Sequence, residues 1–123
     1  MDHQMKRFAL ILMASLAFLT VSFAAPADQT FAGEVMDSKC AMFSGHDAVM
    51  NSGESAKDCT LRCVQTGGIM SAKYVLFDAA GKATYQLDDQ KTPEQFAGAK
   101  VKVTGTYDAS TKTIHVTKIE PAS

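Results

Sequence analysis

The sequence predicts a mainly β fold: a small five-stranded OB-like barrel with a helical, cysteine-bearing insertion between strands 1 and 2. Three observations lead there. Five stretches have the apolar–polar alternation or β-rich composition of strands. Four of them form two pairs joined by short turns. Glycines interrupt two of the strands, Gly33 and Gly105, where a small sheet must curve in order to close. An open five-stranded α+β sheet shares this periodicity and is the alternative architecture.

Strand 1 is expected over Thr30 to Met36, with Phe31, Gly33 and Val35 on one face and Ala32 and Glu34 on the other. Gly33 suggests a bulge or bend there. From Ala41 to Glu54 periodicity fades, and Ser44-Gly45 and Asn51-Ser52-Gly53 mark turns, with room for one helical turn near Asp47 to Met50. Ser55 to Gln65 reads as a helix, with Ser55 as N-cap, Asp58 completing a capping-box-like pair, and Gly67 or Gly68 at its end. Lys73 to Phe77 and Ala83 to Leu87 form a hairpin around Asp78 to Lys82. Thr92 to Phe96 reads as one helical turn capped by Thr92, with Pro93 in its tolerated first position. Lys100 to Tyr107 and Thr113 to Ile119 form the second hairpin, with Ile114 and Val116 inward and His115 toward solvent.

Ahead of this domain, Lys6 and Arg7 precede an apolar run from Phe8 to Phe23, followed by small residues suited to cleavage before Ala25; Ala25-Pro26-Ala27 is a weaker second candidate. The run is about 16 residues, short of the roughly 20 that a spanning helix needs. The expected organisation is a signal peptide over 1–24, a short linker over 25–29 and a single domain over 30–120. That makes the protein secreted or periplasmic, without a stable membrane anchor after cleavage. Beyond Ala24, ten Lys and Arg stand against twelve Asp and Glu. No stretch is strongly basic, which argues against nucleic acid as a partner.

The chemistry is concentrated in one segment. All three cysteines and one of three histidines follow the pattern Cys40-x5-His46-x12-Cys59-x3-Cys63. An odd cysteine count in an exported chain does not resolve into disulfides alone. Three thiolates and an imidazole make a complete tetrahedral set, and Cys59 and Cys63 share one face of the expected helix. Such soft donors suit zinc, copper or an iron centre. Met36, Met42, Met50 and Met70 are additional thioethers nearby, more commonly gap-fillers than ligands. A disulfide from Cys40 to one helical cysteine would instead tie strand 1 to the helix and stabilise by about 3 kcal/mol. A bridge within the helix is geometrically poor. A cysteine nucleophile paired with His46 and oriented by Asp37 or Asp47 is a third reading, but no recognisable catalytic motif accompanies it. Tyr74, Tyr85 and Tyr107 read as exposed and offer a ligand face on the barrel, although on small strands tyrosine is more often core or rim packing.

The run Gly33 to Cys40, then His46, then Asp58-Cys59-Thr60-Leu61-Arg62-Cys63-Val64, then Lys73 to Leu76 and Phe96 to Thr106, resembles a family of small secreted bacterial OB-like domains of unknown function. Members often carry glycine after the first cysteine, where this chain has Ala41, and Gly67 to Ala72 is longer here than is usual. The resemblance implies a secreted OB-like β domain and supplies no activity. The expected function is therefore binding of a soft metal ion through Cys40, His46, Cys59 and Cys63, without turnover of an organic substrate. The alternative is a disulfide-stabilised module that binds a protein or small ligand through its barrel face.

Overall fold

A computed structural model describes residues 20–22, 24–68 and 71–123. The expected signal segment over 1–24 therefore lies almost wholly outside the described residues, as does Met70. In chain order the elements are β1 (Gln29–Asp37), α1 (Ser38–Met42), α2 (Ala56–Gln65), β2 (Tyr74–Asp78), β3 (Ala83–Leu87), a 3₁₀ helix (Thr92–Phe96), β4 (Lys100–Asp108) and β5 (Thr113–Pro121). The strands close into a ring in the order β1-β2-β3-β5-β4, with β4 returning to β1. This is the small five-stranded OB-like barrel, with the helical insertion between its first two strands. β3 and β5 run parallel; every other pairing is antiparallel.

β1 is long enough to serve two neighbours. Its first part pairs with β4, from Gln29↔Gly105 to Glu34↔Lys100, and its last part with β2, from Glu34↔Phe77 to Asp37↔Tyr74. Gly33 lies beside this hand-over without a bulge: a Cβ there would sit 2.6 Å from the Phe77 carbonyl oxygen. The irregularity falls instead between Thr104 and Gly105, where the register to β5 shifts.

Two apolar clusters result. Inside the ring, Val35, Leu76, Val101, Val103 and Ile114 are fully buried. Outside it, Met36, Val75 and Phe77 pack with Cys40, Ala41, Cys59, Cys63 and Ala72 beneath the insertion. β2 is thus covered on both faces, which explains why Tyr74-Val75-Leu76-Phe77 is continuously apolar. The tyrosines do not form a surface ligand face. Tyr74 is buried, and Tyr85 and Tyr107 pack with tilted rings on Phe31 and edge-on against each other, with ring centroids 5.0–5.7 Å apart.

The start of β2 is secured by a side chain. Gln90 accepts from the Tyr74 N–H at 2.9 Å and donates to the Tyr74 carbonyl at 2.9 Å and the Leu87 carbonyl at 3.0 Å. It completes the pairing of a residue that has β1 on its other side. Gln90→Ala leaves three part-buried backbone groups without these partners. It is expected to cost about 1–3 kcal/mol, seen as a lower midpoint in urea unfolding at unchanged slope.

The 3₁₀ helix is capped differently from expectation. Lys91, not Thr92, is its N-cap, and the Asp89 carboxylate accepts the N–H groups of Lys91 and Thr92. The following turn contains Gly98, which brings the start of α2 against the ring.

Candidate metal centre

The centre is assembled from the end of β1, the short α1, the loop after it and the buried face of α2. Asp37 closes β1 and caps α1, its Oδ1 accepting the Cys40 N–H at 2.8 Å. This local bond holds the Cys40 backbone one turn from the carboxylate. Ser44 then takes a left-handed conformation, φ 60°, and the chain turns toward His46. The His46 carbonyl accepts from Val49 and Met50, forming the single turn expected near Asp47 to Met50. On the far side α2 begins at its Ser55 cap, whose hydroxyl accepts the Asp58 N–H, and turns Cys59, Thr60 and Cys63 inward.

Donor atoms of Asp37, Cys40, His46 and Cys59 all lie within 4.8 Å of one another. The Cys40 and Cys59 sulfurs are 3.7 Å apart. All three cysteines are free, and this separation is far above the roughly 2.05 Å of a disulfide. Cys63 is 4 % exposed in the same apolar cluster, one helical turn beyond Cys59, but its sulfur is not one of the four converging donors. Of the residues singled out by spacing, Cys40, His46 and Cys59 therefore come together, and Asp37 joins them.

Two atoms of this group are conspicuous because nothing satisfies them. Asp37 Oδ2 and His46 Nδ1 are buried without a hydrogen-bond partner among the described residues. Buried polar atoms almost always have partners, and leaving one unmade costs about 1–3 kcal/mol. Two such atoms belong to side chains of one group able to ligate a metal, an arrangement compatible with a bound cation. His46 is also oriented for that role. Its Nε2 lies 2.9 Å from Glu34 Oε1, with the side chains 10 % and 22 % exposed. With Nε2–H donating to Glu34, Nδ1 keeps a free lone pair, the arrangement that carboxylate–histidine pairs give to metal sites.

The electrostatics depend on occupancy. Burial, reinforced by Asp37 and Cys59, pushes the Cys40 thiol far up, and burial with the Asp37 and Cys59 charges raises that of Cys63. Without a cation Cys40 and Cys63 stay protonated, so an ion taken up at Cys40 displaces a proton there. Two thiolates and a carboxylate carry a charge of −3, and a divalent ion leaves −1. Arg62 lies close by, with Nη2 4.0 Å from Cys59 Sγ, and offsets that residue.

Arg62 is itself fixed by the Glu54 carboxylate, at 2.8 Å from Nε and 3.0 Å from Nη2, and by the Val49 carbonyl at 3.0 Å. The hydrogen bond from Arg62, then that from the Asn51 N–H, holds Glu54 at about 2 against an ordinary 4.5. A depressed carboxylate stabilises the fold above its unfolded value and loses that contribution as pH falls through its folded value. Chelator-treated protein should therefore lose stability between about pH 4.5 and 2, and Glu54→Gln should flatten this stretch in urea titrations at each pH.

Beside the centre lies a cavity of about 480 Å³ whose wall includes Glu34, Met36, His46, Phe77 and Lys100. Of the other methionines, Met42 is exposed and Met50 half-buried.

Residues 68–122 match the family described as Protein of unknown function (DUF5818). The match runs through the last four strands and lies entirely downstream of Asp37, Cys40, His46 and Cys59. No curated protein and no solved structure matches the chain.

Sequence reasoning missed two contributors. Asp37 figured as the residue after strand 1, in the run that carries the resemblance and as a partner for a nucleophile, but not as a ligand, and Glu34 as a strand residue opposite Phe31, Gly33 and Val35. The Asp-Ser-Lys-Cys run was the available signal for the first, since an N-cap carboxylate lies beside the third residue of its helix.

Proposed function

We propose that this protein is an exported domain that holds one zinc ion through the Asp37 carboxylate, the Cys40 and Cys59 thiolates and His46 Nδ1. The observation that carries the reading is that two residues of a donor set spanning no more than 4.8 Å each carry an orphaned buried atom, Asp37 Oδ2 and His46 Nδ1. Tetrahedral zinc with two sulfurs at about 2.3 Å sets them about 3.8 Å apart, close to the observed 3.7 Å. The mixed set also narrows the choice of ion. A carboxylate oxygen is a poor partner for copper(I), and two sulfurs are too few for a cysteine-bound iron–sulfur cluster. The charge balance with Arg62 favours a divalent ion.

Four protein donors fill a tetrahedral ion and leave no open position for a substrate, as in structural sites. The ion would fasten the insertion to the ring, and the biological role would be metal binding or handling in the periplasm or outside the cell. The signal-like run over Phe8 to Phe23 supports export.

Native mass spectrometry of protein recovered from an export compartment tests this reading. One zinc per chain is expected, retained in Cys63→Ser and lost in Asp37→Asn, His46→Ala, Cys40→Ser and Cys59→Ser. Loss of zinc in Cys63→Ser with retention in Asp37→Asn would shift the site to three cysteines and a histidine. Folded protein that binds no zinc under any loading condition would end the metal reading.

A further inference from the structure

We infer that Cys40 and Cys59 are also a redox-active dithiol, so that a zinc ion and a Cys40–Cys59 disulfide compete for the same two sulfurs. The inference rests on the zinc reading for its competition, while the dithiol itself rests on geometry. The two sulfurs already touch at 3.7 Å, from different elements, and need to approach by about 1.6 Å to bond. Cys40 belongs to a five-residue helix that is followed at once by the left-handed turn at Ser44, a short unit able to shift by that amount. Cys63 is a poor partner for Cys59, because residues four apart on a helix project in parallel and hold their Cβ atoms too far apart. The third sulfur is thereby left as a free thiol, which accounts for the odd cysteine count.

The oxidant is a disulfide, either a small molecule or a protein, of the kind found in oxidising compartments. One thiolate attacks a sulfur of the reagent and expels the first thiol, and the second protein sulfur then displaces the other. The Cys40–Cys59 bond forms, the reagent's S–S bond breaks, and two electrons pass from the protein sulfurs to two reagent thiols. Starting from zinc-loaded protein, zinc must leave before the sulfurs react, and the net exchange consumes two protons from solvent and frees one Zn²⁺. The cavity wall reaches His46 and Met36 but not the two sulfurs, which are fully buried, so the exchange requires α1 to move and open them. The site would thus hold zinc when reduced and release it when oxidised.

The test uses the full mature protein, oxidised glutathione as the reagent and zinc alone as the ion. Metal-free protein should become two hydrogens lighter and fall from three alkylatable thiols to one, which peptide mapping places at Cys63. At free zinc 100-fold above Kd, about 1 % of the protein is metal-free, so oxidation should slow about 100-fold. Oxidation of zinc-loaded protein should release zinc to a chromogenic chelator in step with the loss of thiols. His46→Ala keeps both sulfurs but weakens zinc, so its oxidation should proceed at a rate zinc barely changes. Failure of metal-free protein to form the Cys40–Cys59 bond, or a bond that includes Cys63, overturns the dithiol. Equal oxidation rates with and without bound zinc overturn the competition. If native mass spectra show no zinc while the Cys40–Cys59 bond still forms, the zinc reading alone has failed.

Discussion

Removing zinc from the loaded protein with a chelator is expected to lower its melting temperature by about 15–30 °C. Metal held 1,000-fold above Kd stabilises the folded state by about 4 kcal/mol, and a domain near 100 residues shifts by about 4–8 °C for each kcal/mol. The size of the effect has a structural cause. Asp37 ends β1, whereas Cys40, His46 and Cys59 belong to the insertion, which contributes no strand to the ring. An ion that bonds all four ties this insertion to β1 and also satisfies Asp37 Oδ2 and His46 Nδ1, two of the four buried side-chain atoms left without a partner among the described residues. Differential scanning calorimetry with and without chelator measures the shift. Asp37→Asn should melt near the chelated value and respond little to added zinc. Coincident melting curves for loaded and chelated wild-type protein would mean that an ion does not fasten the insertion.

Gly98→Ala should be strongly damaging although it lies outside the centre. Gly98 has φ 73°, and a Cβ there would lie 2.5 Å from the Lys57 nitrogen and 2.8 Å from both the Ala56 carbonyl carbon and the Lys57 Cα. These are backbone atoms at the start of α2, so relief requires moving the helix. A left-handed alanine costs about 1–2 kcal/mol, and forcing an extra methyl into packed surroundings adds about 1–3 kcal/mol. A total near 3 kcal/mol lowers the melting temperature by about 12–24 °C. Gly53 provides the control, with φ 75° but open space where its Cβ would go, so Gly53→Ala should lose only the conformational part. Because Ala56 and Lys57 lead directly to Cys59, Gly98→Ala should also weaken zinc retention in native mass spectra, whereas Gly53→Ala should leave it near wild type. Equal melting temperatures for the two variants would show that contact with α2 is not what requires glycine at residue 98.

The strands were legible in the chain because their signal is local. Alternation across Lys100 to Tyr107 and the turn residues at Asp78 to Lys82 and Asp108 to Lys112 lead to the right hairpins without reference to distant residues. What eluded the sequence depends on long-range packing. Gly33 looks like a bulge, yet its requirement is set by the Phe77 carbonyl, forty-four residues away. His46, flanked by Gly45 and Asp47, has the neighbours of a solvated loop residue, and Glu34 from β1 is what holds it down. α1 is too short to show a period, so the turn that places Cys40 beside Asp37 could be sensed only through its cap. Tyr85 and Tyr107 alternate like rim residues, and only closure of the ring brings them onto Phe31.

Closure also leaves a weak seam, and its chemistry has a consequence for self-association. β3 and β5 meet over just two residue pairs, Gln86↔Thr113 and Leu87↔Ile114. Past them, the flank of β5 that faces away from β4 could recruit a strand from another molecule. The chain blunts this invitation. The Val116 N–H is already given to Asp88 Oδ1 at 2.8 Å, and Lys118 and Glu120 follow as an exposed ion pair at 3.4 Å. An incoming strand would find its first donor occupied and then have to displace or bury two charges, the device by which natural sheets resist edge-to-edge growth. The segment is therefore poor material for seeding a fibril, even where newly made chains pass one another before they fold.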